Sequence, residues 1–154
     1  MKLLKSVLSL SVLVGGLTFL GSCDKTTDEI IEDITPAVTA SVDGNPFSTE
    51  IAAGLHTTLL LITATKDKES IVLSLPAKDV GVYPVDILTT NASYLPVLDS
   101  LNSAYIAYEG QIEITSINTL RTQIQGKFYF KAANPNTLDT LSVTDGILKN
   151  IPIK

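Results

Sequence analysis

The chain has 154 residues, sixteen acidic against eleven basic, for a formal net charge of −5. With no basic run to offset it, that balance argues against a nucleic-acid surface. A single histidine and a single cysteine exclude a histidine-rich zinc site and an internal disulfide.

The first 22 residues read as a lipoprotein signal peptide. Lys2 and Lys5 give a positive start, Val7 to Leu20 is almost wholly apolar, and Leu20-Gly21-Ser22-Cys23 closes the segment. The apolar run is shorter than the ~20 residues a spanning helix needs, and it contains Gly15-Gly16. Leu20-Gly21-Ser22-Cys23 resembles the lipobox of bacterial lipoproteins. The resemblance implies cleavage before Cys23 and diacylation of its thiol, and two acyl chains anchor a protein stably. Loss of Lys2 and Lys5 would take the net charge to −7, because all sixteen acids lie beyond Cys23.

Residues 23–36 read as an acidic tether. Asp28, Glu29, Glu32 and Asp33 crowd together, and Pro36 disfavours helix at Thr35. A chain of this length reaches about 20 Å. Its acidic cluster partly resembles the surface-export signals of Bacteroidetes lipoproteins.

Residues 37–154 read as one β domain. Val38 to Val42 leads into the turn cluster Asp43-Gly44-Asn45-Pro46, and Phe47 restarts the chain. Thr57 to Thr65 is a strand rich in Leu, Ile and Thr. A charged turn, Lys66 to Glu69, joins it as a hairpin to Ile71, Leu73 and Leu75, and Pro76 ends that strand. Gly81-Val82-Tyr83-Pro84 is another short extended piece. Gly110, Ile112 and Ile114 share one face before a turn at Ile117-Asn118-Thr119. Ile124, Gly126, Phe128, Phe130 and Ala132 form the next inward face, with Gln123, Gln125, Lys127, Tyr129 and Lys131 outward. Mid-strand Gly126 marks a bulge or a close backbone approach. Asn134-Pro135-Asn136 turns the chain again, and Leu141 and Val143 lead to Asp145-Gly146 and a last strand ending near Ile153. No long apolar period of 3.6 residues occurs. The pattern predicts an all-β fold: a single antiparallel β-sandwich or small β-barrel of about eight to ten short strands.

Several of these segments resemble small Bacteroidetes lipoproteins of uncharacterised function. Ala40 to Phe47 is similar to their opening Asp-Gly turn with its following aromatic, and Gly110 to Ile114 to a strand of theirs. Ile124 to Phe130 resembles their Gly-x-Phe-x-Phe strand, and Val143 to Gly146 their closing turn, with Ile147 where an aromatic usually follows. The resemblance implies a fold and a location but no activity.

The chain offers little catalytic chemistry. His56 borders a Thr-Leu run, no serine sits in a Gly-x-Ser-x-Gly context, and the glycines beyond the signal are scattered. Glu109 and Glu113 share a strand face, which alone makes no cleft. Asp43-Gly44-Asn45 lacks the spacing of a calcium loop and reads as a type I or I′ turn. No catalytic residue, metal or cofactor is expected. Tyr83, Tyr94, Tyr105 and Tyr108 cluster around the least regular segment, Thr89 to Ser103, which holds Tyr94 and reads as a long connection. A candidate binding rim falls at Tyr94, Leu95 and Tyr105. The expectation is a non-catalytic lipoprotein of the cell envelope with a binding or structural role, lipid-anchored to the outer membrane and either periplasmic or surface-exposed. Its ligand would be an unidentified protein or glycan. The alternative is a hydrolase acting on extracellular polymers.

Overall fold

The computed structural model describes residues 35–154 except 77, 78, 87 and 99. The signal peptide, the cleavage residues Leu20, Gly21 and Ser22, Cys23 and the tether as far as residue 34 lie outside the described residues.

Ten antiparallel strands form a nearly closed barrel: β1 (Ala37–Val42), β2 (Asn45–Thr49), β3 (Ala52–His56), β4 (Leu60–Lys66), β5 (Glu69–Leu75), β6 (Gly81–Pro84), β7 (Asn91–Leu95), β8 (Tyr105–Asn118), β9 (Gln123–Ala133) and β10 (Thr140–Pro152). They occupy eight positions, because two positions hold a broken strand. β2 pairs with β1, and two residues further on β3 pairs with β4, so Asn45–His56 bridges the two flanks. Likewise β6 pairs with the middle of β8 and β7 with its start, separated by a loop over 85–90. In that loop the Asp86 carboxylate accepts from the amides of Leu88 and Thr89 and from the Thr89 hydroxyl. Each position neighbours the next in sequence, and β10 returns to pair with β1. This is an up-and-down barrel. β1 begins only at Ala37, so β3 and β10 meet directly beyond it through a parallel bridge, Gly54 to Ile153.

The alternation read from sequence sets the inner face. Ile112, Ile114, Ile124, Phe128, Phe130 and Ala132 are buried with Val38, Phe47, Leu60, Ile62, Leu73 and Val143 in one core. The two rings of β9 stack at 6.3 Å. Closure of so small a barrel demands sharp coiling, supplied by register shifts within β8 and β10. Gly126 is a close approach, as expected: a Cβ there would be driven into the Glu113 carbonyl oxygen. The buried polar side chains are paired. Ser70 Oγ donates to the Ala64 carbonyl, Thr49 Oγ1 to that of Thr65, and Asn134 Nδ2 to that of Asn102.

The structure corrects four local readings. The strand expected from Thr57 starts at Leu60, because 57–59 turn the chain out of β3, a strand the sequence reading lacks. The turn expected at Ile117–Thr119 falls at 119–122, where Asn118 Oδ1 accepts from the amides of Leu120 and Arg121. Asp145-Gly146 is a bulge inside β10, not a turn; Asp145 takes φ 54° there. The segment Thr89 to Ser103 is not one long connection: β7 lies in the sheet between β5 and β8. Its inward residues are Ala92 and Tyr94, and its outward ones include Asn91 and Ser93.

Candidate functional site

An up-and-down barrel sends alternate turns to the same pole. The β1–β2 and β4–β5 turns therefore gather with the β7–β8 and β9–β10 connections. There a pocket of about 290 Å³ opens, walled by Phe47, Tyr94, Tyr105 and Leu141, with Asp43, Lys66 and Glu69 on its margin. A second recess of about 350 Å³ adjoins it, sharing Pro96 and Tyr105 and reaching Asn102 and Asp139. The pocket is at the small end of ligand sites.

Local structure holds each wall. Asp43 takes φ 46° and Gly44 φ 80°, so the two-residue hairpin turn has both central residues left-handed, as a type I′ turn requires. Asp43 Oδ1 accepts from the Ser142 amide at 2.8 Å, locking that turn to β10. Lys66 Nζ donates to the Pro46 carbonyl at 3.0 Å and lies 5.9 Å from the centre of the Phe47 ring, a cation–π distance. The rings of Tyr94 and Tyr105 meet at 6.4 Å, tilted by 43°. Burial foremost, then the adjacent Glu69 carboxylate, pushes the Tyr94 hydroxyl up to about 12. Tyr94 therefore stays a neutral hydroxyl at any ordinary pH. The pocket combines aromatic and prolyl walls with carboxylates, one ammonium and two phenols.

Two of the three residues expected at a binding rim thus come together. Tyr94 is buried in the pocket wall and Tyr105 is half-buried beside it, whereas Leu95 points to the outer face of β7. Tyr83 and Tyr108 lie elsewhere: Tyr83 hydrogen-bonds the Asp79 carbonyl, and Tyr108 stands on the exposed face of β8. Sequence reasoning missed Phe47, Lys66, Glu69 and Leu141 as partners of the tyrosines. They look like ordinary turn and core residues until the meander places their turns at one pole.

The carboxylates and the histidine do not converge. Glu109 is ion-paired with Lys131 at 3.1 Å, both half-exposed. Glu113 borders a groove of about 440 Å³ on the outside of β8–β10, with Gln111, Lys127, Tyr129 and Ile147. His56 ends β3, where its amide donates to the Lys154 carbonyl. Among the described residues no group of three or more His, Cys, Asp or Glu is placed to hold a metal ion.

Comparison with known proteins gives one match. The model of a domain of unknown function, DUF6252, matches residues 34–152, spanning the barrel. No curated protein matches the chain, and neither does any solved structure.

Proposed function

The chain belongs to the DUF6252 family, and from that footing we propose that it is a lipid-anchored lipoprotein of the cell envelope whose barrel is a non-catalytic binding module. Cys23 carries the acyl chains that fix it to the outer membrane, as in the small Bacteroidetes lipoproteins it resembles. The mouth pocket takes a small amphipathic ligand, or the tip of a larger glycan or protein. One observation carries the reading. The chain comes into β1 at Ala37, beside Lys149, at the pole opposite the Tyr94–Tyr105 pocket. An anchor attached ahead of that point joins the barrel at the end away from the pocket, so attachment does not obstruct the mouth. Glu109 and Glu113 stand on the open outer face of β8 and His56 at the end of β3, so no cleft brings the three together, which supports binding over hydrolysis.

Metabolic labelling with a palmitate analogue tests the anchor: Cys23→Ser should abolish the label, and equal labelling of both forms refutes it. For the site, residues 24–154 can be screened against saccharides and short peptides by thermal shift. A binder whose effect vanishes in Tyr105→Ala and weakens in Lys66→Ala places the ligand in the mouth. A binder indifferent to both variants moves the site elsewhere.

A further inference from the structure

The pole opposite the pocket has a surface of its own. Leu120, in the 119–122 turn between β8 and β9, is 96% exposed, and Leu59, in the 57–59 turn between β3 and β4, is 45% exposed. One exposed leucine means little in a soluble domain. These two are neighbours in the fold through the end of the chain: the Ile153 amide donates to the Thr122 carbonyl at 2.8 Å, and the His56 amide to the Lys154 carbonyl at 2.9 Å. Leu55 and Leu61, facing each other on the outside of β3 and β4, continue the apolar surface up the wall. The two turns contain no acid, and Arg121 and Lys154 lie beside the leucines. The mouth pole instead carries Asp43, Asp67, Glu69 and Asp139 in or beside its turns, offset in part by Lys66 and Lys68. The lower pole is thus the more apolar of the two, and the mouth pole keeps a net excess of acid.

We infer that this lower pole is a bilayer-contact foot, with Leu59 and Leu120 entering the headgroup layer of a phospholipid surface. The inference rests on the anchored reading proposed above. The length of chain before the barrel and the place where it arrives select the occupant. Thirteen residues separate Cys23 from Ala37, and they reach about 20 Å. The foot is therefore held within a tether's length of the lipid, at an effective concentration on the order of millimolar. At that concentration two leucines and a basic margin suffice for contact that would be negligible for a free domain. Interfacial apolar side chains reach ~5–10 Å into the headgroup–acyl boundary, and basic residues favour the headgroups around them. Docking of the foot would set the barrel upright and turn the pocket outward.

The chain has one cysteine, so acylation of Cys23 leaves no other thiol. Leu120→Cys and Leu138→Cys then each offer a single site for an environment-sensitive fluorophore. Leu138 is 79% exposed beside the β9–β10 turn at the mouth pole and serves as the internal control. The full-length acylated variants are placed in phosphatidylcholine vesicles with brominated acyl chains. The label at 120 should be quenched about two-fold and blue-shifted, as insertion to that depth requires, and the label at 138 should be unaffected. Unquenched label at 120, or equal quenching at both positions, on protein that floats with the vesicles overturns the foot alone. Protein that fails to float overturns the anchor, and the foot with it.

Discussion

Phe130→Ala measures how far the barrel depends on the inward face of β9. Phe130 is 1% exposed, paired across the sheet with Gly110 and Val143 and stacked on Phe128. A buried phenylalanine removes at least ~150 Å² from water, worth about 4 kcal/mol at ~25 cal/mol per Å². Its neighbours cannot close over the gap, because β8 and β10 are fixed to β9 along both edges. The loss should fall at about 3–5 kcal/mol, the range of buried Phe→Ala changes. That corresponds to a melting temperature roughly 10–20 °C lower for a domain of this size. Tyr129, the next residue, is 51% exposed on the outer face. Its truncation removes about half as much buried area and leaves no internal cavity, so Tyr129→Ala should cost about 1–2 kcal/mol. Urea titration followed by far-UV circular dichroism gives both values from the shift in midpoint at constant slope. A Tyr129→Ala cost equal to or above that of Phe130→Ala would mean that β9 presents its other face to the core.

Gly126→Ala should destabilise by about 2 kcal/mol or more, since the Glu113 carbonyl blocks the new methyl, whereas Gly44→Asn should be tolerated because Asn accepts a left-handed turn; thermal melts of the two compare them. Tyr94 should be the last tyrosine to ionise. Its folded pKa, raised to about 12 from 10.0, contributes stability that is complete below pH 10 and lost as pH climbs through 12. Absorbance titration should show a late phenolate step that Tyr94→Phe removes; a step unchanged in that variant refutes the assignment. Asp43→Ala should cost about 1–2 kcal/mol through the lost Ser142 bond and the strained left-handed residue. Lys131→Met, which breaks only an exposed pair, should leave the thermal melt close to that of the parent chain.

The clearest strands in the sequence are those whose inward residues are large. Ile112, Ile114, Ile124, Phe128 and Phe130 announce β8 and β9 because a half-buried strand leaves a period of two. β7 buries Ala92 and Tyr94 between outward Asn91 and Ser93, so the same period is written in small and polar residues and reads as a loop. β3 buries Gly54 against the Pro152 carbonyl, and a backbone contact of that kind leaves no apolar signature at all. For the candidate site, the tyrosines were legible as amphipathic side chains near an irregular segment. Their partners Lys66, Glu69 and Leu141 were not, because only the order of the strands decides which turns meet.

The pairing of Ala37 with Lys149 joins the two ends of the domain in sequence. Until the last strand is available, β1 has no neighbour on that side and β9 presents a long unpaired edge. The barrel therefore cannot close while its C-terminal segment is still being synthesised. Folding is dominated by distant pairings, which places it in the slow, millisecond-to-second class. During that interval exposed strand edges invite pairing with other chains. A chain truncated before β10 would lose the seam and the wall carrying Leu141 together, and would emerge as a sticky open sheet in place of a smaller barrel.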